Sequence, residues 1–181
     1  MVLKQRLNQT ILILLINVLG LQAFASESAG FSQKLDKIIK KDLLLQDFKI
    51  VPLTISDEQF KKAGVNLKSD QIFKLTAEDF DGFYIIEKAM GRFHDFTYVV
   101  FFEKGLEVLL VRVLVYEEEH GVEITQKKWL QQFIGKTPTD HLIFKKNIDA
   151  ISGATISGTS ITESIDRLLR YVSILREHLI I

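Results

Sequence analysis

The 181-residue chain contains no cysteine. That absence excludes disulfides, thiol catalysis, iron–sulfur ligation and c-type haem attachment together. It also removes the residue that a lipoprotein anchor needs. Any redox chemistry must therefore come from a bound cofactor, because no remaining side chain readily cycles electrons. An excess of one charge is lacking too. Lys plus Arg and Asp plus Glu number 23 each, so no global field favours nucleic acid or a membrane surface. No basic cluster stands out, which argues against a nucleic-acid reader. Histidine is scarce, and His94 and His178 have no matching ligands nearby, so no metal site is expected. Internal repeats, low-complexity stretches and long linkers are also missing.

What remains is ordinary globular composition, 47% hydrophobic and 25% charged, at a length that suits one domain with short extensions. The first 25 residues read as an export signal. Lys4 and Arg6 are followed by the apolar run Ile11–Leu21 and then by Ala23-Phe-Ala25 before Ser26. Charged, apolar and small-x-small segments in that order mark a secretory signal. As a helix Ile11–Phe24 spans roughly 21 Å, against a hydrocarbon core of about 30 Å, which favours cleavage after Ala25 over a retained anchor. Without Lys4 and Arg6, 21 basic and 23 acidic residues remain, a net charge of −2. The expected location is the periplasm or the outer face of the cytoplasmic membrane. A carrier there gains from a covalent tether, because free cofactor would diffuse away.

Beyond the signal, Phe31, Leu35, Ile38 and Ile39 recur at helical spacing, which predicts an amphipathic helix over 28–46. Phe48–Leu53 predicts a short strand placed near an edge by Pro52. Ser56-Asp-Glu-Gln59 has the form of a capping box opening a short helix to about Ala63. Gln71–Thr76, Phe83–Met90, Thr97–Glu103 and Glu107–Tyr116 are dense in Val, Ile, Phe and Tyr and predict strands, with hairpin turns at Gly91 and Lys104-Gly105. The nearly all-apolar run Val108–Val115 suggests a central strand covered on both faces. Thr125–Ile134 reads as a helix closed by Gly135, and Leu142–Phe144 as another short strand. Ser160-Ile-Thr-Glu163 forms a second capping box, opening a terminal helix with Ile161, Ile165, Leu168, Leu169, Val172 and Leu175 on one face. The expected class is α+β, an antiparallel sheet packed with helices. Its parts are a signal peptide over 1–25, an N-terminal helix and strand extension over 26–80, and a domain core over 81–181.

The most informative stretch is Asp149-Ala-Ile-Ser152-Gly153-Ala154-Thr155-Ile-Ser157-Gly-Thr-Ser160. Its glycines allow close backbone approach and positive φ. A helix start just beyond offers unpaired N–H groups and a positive dipole end, a good place for a phosphate. On those terms alone an ordinary Ser/Gly-rich loop entering a helix is the readier explanation. It is not a P-loop, since no Gly-Lys-Thr/Ser follows at the required spacing.

Asp149-x-x-Ser152-Gly153-Ala154-Thr155 resembles the flavinylation motif Asp-x-x-(Ser/Thr)-Gly-Ala-Thr of the FMN-binding domain family. That family includes flavin-carrying components of the sodium-translocating NADH:quinone reductase and of the Rnf complex. Five fixed positions match by chance in roughly one chain of this length per few thousand. The loop Tyr116-Glu-Glu118-Glu-His120-Gly121-Val-Glu123-Ile124 and the helix end Trp129-x-x-x-Phe133-x-Gly135-Lys136 are also similar to the family's pattern. The resemblance covers about residues 90–170. The large-complex relatives carry Glu-Thr-Pro-Gly-Leu-Gly in the upstream loop. Glu118 and Gly121 fit it, whereas Glu119 and His120 replace Thr and Pro, a pattern nearer the small stand-alone exported members.

The resemblance implies FMN esterified through its phosphate to Thr155 by an FAD-dependent, magnesium-requiring FMN transferase. Ser152, Gly153, Ala154 and Ser157 would complete the attachment turn. Asp149 would either be read by the transferase or stabilise the turn. Glu118, His120, Gly121 and Trp129 would lie near the flavin, and Glu118 and Glu123 could hold its polar edges. For each a plainer reading stands beside this one: solvated surface for the glutamates, an exposed loop histidine for His120, core packing with Phe133 for Trp129. Thr159 and Thr162 lack the Gly-Ala approach and fall at the helix start, where capping explains them. No catalytic residue is expected, since the transferase activates the Thr155 hydroxyl. The implied function is an exported electron carrier between a membrane donor and an extracytoplasmic acceptor. A small flavin reductase would show turnover of a soluble acceptor by the isolated domain, and a binding or assembly module would stay flavin-free beside the transferase.

Overall fold

The computed structural model describes residues 31–178 and residue 181. The expected export signal lies outside the described residues. Two compact units divide at residues 44 and 45. The described part of the first is helical from residue 31 to residue 42 (α1). It carries the expected apolar spacing and an Asp36–Lys40 ion pair at 2.9 Å one turn apart. The expected helix extended to residue 46, but Leu44 takes φ +60°, a conformation that ends a right-handed helix.

The second unit is built on five antiparallel strands in the order β1-β2-β3-β4-β5: Phe48–Pro52, Ile72–Ala77, Phe80–Met90, Asp95–Glu103 and Val108–Val115. Every neighbour in the sheet is a neighbour in sequence, so short turns suffice to connect β2 through β5. Between β1 and β2 the helix α2 (Asp57–Ala63) starts at the Ser56–Gln59 capping box, formed as expected, and stops at Gly64 with φ +70°. Four strand expectations hold within three residues at their ends, and Pro52 does lie in an edge strand. With its helices, the whole is an α+β fold.

Alternation along β3 and β4 turns Phe83, Ile85, Ala89, Phe96, Tyr98, Val100 and Phe102 toward one core. Into that core α4 (Thr155–Glu177) presses Ile161, Ile165, Leu168, Leu169, Val172 and Leu175, the stripe its periodicity predicted, and none of them retains solvent exposure. Each such side chain contributes about 1.5–3 kcal/mol of burial, so α4 is a firm base for whatever its first turn carries. Polar ties add register. The Tyr98 hydroxyl donates to Ser164 Oγ at 2.7 Å, Arg167 donates to the same oxygen at 2.7 Å, and Ser160 Oγ accepts the Met90 N–H at 2.8 Å.

Four expectations need correction. β5 is an edge strand rather than a central one. Its apolar run reflects burial of both faces, and residues 135 and 136 cover its edge: Val108 N–H donates to Lys136 O at 2.9 Å and Gly135 N–H to Val108 O at 2.8 Å. The single helix expected over 125–134 is broken into two 3-10 turns, Val122–Thr125 and Gln131–Phe133, around the one-turn helix α3 (Lys127–Leu130). The strand expected at Leu142–Phe144 reduces to one bridge between Phe144 and Ile148. Finally, α4 starts at Thr155 and not at Ser160. Ser160 lies inside the helix, and its hydroxyl satisfies the strand donor at Met90 instead of capping a helix.

Candidate functional site

The stretch 149–155 enters α4 through a clamped turn. The indole N–H of the buried Trp129 donates to Asp149 O at 2.9 Å, and Asp149 N–H donates to Gln132 Oε1 at 2.6 Å. Gln132 in turn donates to Trp129 O at 3.0 Å. Asp149 is thus fixed through its backbone by α3 and the 3-10 turn after it, while the residue itself is exposed. Trp129 packs edge-on against Phe133, ring centroids 5.5 Å apart, so its side chain serves the core and holds the loop. Gly153 takes φ +78°, which reverses the chain at Ser152–Gly153. Ala154 is buried, and its carbonyl accepts the first helical bond, from Gly158 N–H at 2.8 Å.

Thr155 is therefore the first residue of the helix, and no side chain caps that end. An exposed hydroxyl beside uncapped N–H groups, at the positive end of a 23-residue helix, is well placed for an anion. Ser157 is buried, with Oγ 3.2 Å from the Tyr116 hydroxyl. Thr159 and Thr162 turn their hydroxyls back to Thr155 O and Gly158 O at 2.8 and 2.7 Å. They bond within the helix rather than capping it.

The upstream loop meets this turn. Gly121 has φ +81°, and a Cβ there would lie 2.7 Å from the Tyr116 hydroxyl and 3.3 Å from Ala154 Cβ. Only glycine lets the two backbones come so close. The Tyr116 hydroxyl donates to His120 O at 2.7 Å, so His120 contributes its carbonyl while its side chain is exposed. Burial, the largest cause, raises the Tyr116 pKa; the charges of Glu118 and Glu123 add to it, and the Ser157 hydrogen bond opposes it. Glu118 accepts the N–H groups of Phe93 and His94 at 2.7 and 2.9 Å, tying the β3–β4 turn to the loop. The His94 bond first, with those from Phe93 and Arg92, holds the Glu118 carboxyl below the usual carboxylate range.

Two cavities are lined by residues next in the chain to Gly121 and Ala154. One of about 370 Å³ is lined by Thr155, Thr159 and Glu163 of α4 and by Leu142, Ile143, Phe144 and Lys145. The other, about 490 Å³, lies between Arg92, Phe93 and His94 and the loop Glu117–His120. Both volumes fall within the roughly 300–1,000 Å³ of small-molecule sites. Two buried oxygens, Glu118 Oε2 and Glu123 Oε2, lack hydrogen-bond partners among the described residues. Buried acceptors normally have donors, so a ligand rich in hydroxyl or N–H groups fits here.

Sequence reasoning thus named most of what the structure gathers. Gly121, Ala154 and Ser157 meet around the Tyr116 hydroxyl, Trp129 holds Asp149 from behind, and Glu118 and His120 line the second cavity. Tyr116, placed in the sequence only as the start of the loop, and Gln132 join them through their hydrogen bonds. Phe93 and Phe144 also line the two cavities, one each. The signals available were a tyrosine at the start of the glutamate loop and the Lys145-Lys146-Asn147 turn just before the motif.

An uncapped helix start bearing a hydroxyl, near buried acceptors and two cavities, has the chemistry to hold a phosphorylated ligand with hydrogen-bond donors. Residues 94–170 match the family model described as the FMN-binding domain. That match gives the chain an FMN-binding domain over residues 94–170, which points to a flavin-binding protein and supports FMN as the cofactor. No curated protein matches the chain.

Proposed function

We propose that the protein is an exported electron carrier whose FMN is joined through its phosphate to Thr155 Oγ. The observation that carries this reading is the position of Thr155: its exposed hydroxyl stands at the first residue of α4, without a side-chain cap, and lines the cavity with Phe144 and Lys145. The helix N-terminus and Lys145 would offset the phosphate charge. Leu142, Ile143 and Phe144 offer an apolar wall for a flat ring.

In forming the link, Thr155 Oγ bonds to the FMN phosphorus of FAD, the pyrophosphate bond breaks, AMP leaves, and the hydroxyl proton is released. An FAD-dependent FMN transferase with magnesium supplies the activation. The domain needs no catalytic base of its own, and the exposed Asp149 side chain is the residue the transferase reads. Once bound, the flavin supplies one- and two-electron chemistry, and the chain supplies position and electrostatics. Electrons would pass from a membrane donor to an extracytoplasmic acceptor, with the protein in the periplasm or on the outer face of the cytoplasmic membrane.

Intact-mass measurement after co-expression with the transferase, beside Thr155→Val, tests the link. The expected result is one FMN minus one water on wild type alone. Unmodified wild type, or an adduct persisting on the variant, would refute it.

A further inference from the structure

The sequence offers Glu123 only as a general contact for polar flavin edges, but its environment is more specific than that. Its carboxylate lies over Gly153, with Oε2 and Oε1 at 3.6 and 3.9 Å from where a Cβ on that glycine would stand. Oε2 is buried and has no hydrogen-bond partner among the described residues. The nearby hydroxyls do not serve it. Tyr116 donates its proton to His120 O, and Ser157 Oγ faces Tyr116. A cation is a poor candidate for the partner, because no group of three or more His, Asp or Glu side chains able to hold a metal exists among the described residues. A ligand carried on the adjoining turn would bring the donor that this acceptor lacks. The carboxylate lies against the turn two residues before Thr155.

We propose that Glu123 Oε2 accepts a hydrogen bond from a ribityl hydroxyl of FMN carried on Thr155. The inference rests on the covalent reading above. With the phosphate fixed on Thr155, the ribityl chain is the donor-bearing part of the cofactor nearest the attachment turn, while the N–H of the ring lies at the far end of the molecule. Glu123 is in this sense a positioning residue. It fixes the direction in which the chain leaves the phosphate, and hence where the ring lies. Before loading, the same carboxylate is an unsatisfied buried acceptor, so loading removes a penalty from the protein as well as adding contacts.

The test compares the full chain with and without co-expressed transferase, as wild type, Glu123→Gln and Glu123→Met. Intact mass counts adducts, and thermal melting gives the increase in Tm on loading. The expected result is one adduct on all three forms. The Tm increment should be largest for wild type, smaller for Glu123→Gln, which keeps a neutral acceptor, and smallest by several degrees for Glu123→Met. Flavin-free Glu123→Met should melt no lower than flavin-free wild type, since it removes an unpaired acceptor. Glu123→Ala repeats the comparison if the Met variant does not fold. Equal increments in all forms would overturn the proposal, because a purely structural Glu123 acts on loaded and unloaded protein alike. Loss of the adduct in the variants alone would overturn it too, by showing that the transferase reads Glu123. A wild type without adduct would be the separate failure of the covalent reading, seen in the mass before any melting is compared.

Discussion

Replacing Gly121 with alanine should damage the protein more than the same change at a glycine of equally unusual backbone conformation with open space around it. At φ +81° an L-residue costs about 1–2 kcal/mol. The new methyl would then stand 2.7 Å from the Tyr116 hydroxyl and 3.3 Å from Ala154 Cβ. Relief requires Tyr116 to move, which gives up its bond to His120 O, worth about 1 kcal/mol, and strains the contact with the attachment turn. The total is about 2–4 kcal/mol. Gly64 supplies the control: φ is +70°, and nothing lies within 4 Å of its Cβ position, so Gly64→Ala incurs only the backbone cost of about 1–2 kcal/mol. Urea unfolding of both variants isolates the packing part. With a slope near 2 kcal/mol/M, an extra ~1–2 kcal/mol lowers the midpoint of Gly121→Ala by about 0.5–1 M below that of Gly64→Ala. Equal midpoints at equal slope would refute the claim that the two loops are in enforced contact.

Three other outcomes are expected. Burial raises the Tyr98 hydroxyl pKa above its ordinary value of 10.0, so its contribution is complete below pH 10 and lost above it; Tyr98→Phe should cost about 1 kcal/mol at pH 8 and show a shallower stability loss toward pH 11, followed by chemical denaturation. Glu118 is shifted the other way, below 4.5, so its contribution is present above that pH and fades as the carboxyl protonates; the stability gap between wild type and Glu118→Gln should narrow from pH 7 to pH 3. Trp129 is the only tryptophan of the chain and is bonded to Asp149 O, so FMN loading should quench its fluorescence, and Trp129→Phe should cost about 1–3 kcal/mol in urea unfolding.

Much of this was legible because it is local. The Ser56–Gln59 capping box needs only four residues and formed as written. Strand alternation and the 3.6-residue stripe of α4 survive because one buried face imposes each of them. The motif Asp149–Thr155 was legible for the same reason: its turn is made by Gly153 and its neighbours. Ser160-Ile-Thr-Glu163 shows the limit of local reading. It has the same form as the working capping box, but the helix had already begun at Thr155, and a strand donor at Met90 claimed the Ser160 hydroxyl.

By itself, then, the sequence determined most of the secondary-structure vocabulary, the absence of cysteine chemistry, and a motif that lies within the residues matching the family model. Tertiary structure decided the neighbours. A run of apolar residues at Val108–Val115 is the same in a central strand and in a covered edge strand, because burial depends on what lies above each face and not on strand order. Likewise, nothing local tells Gly121 that Ala154 lies against it, or Glu123 that Gly153 does. Those contacts join residues some thirty positions apart in the chain, and they exist because the core beneath α4 holds its first turn against the loop that leaves β5.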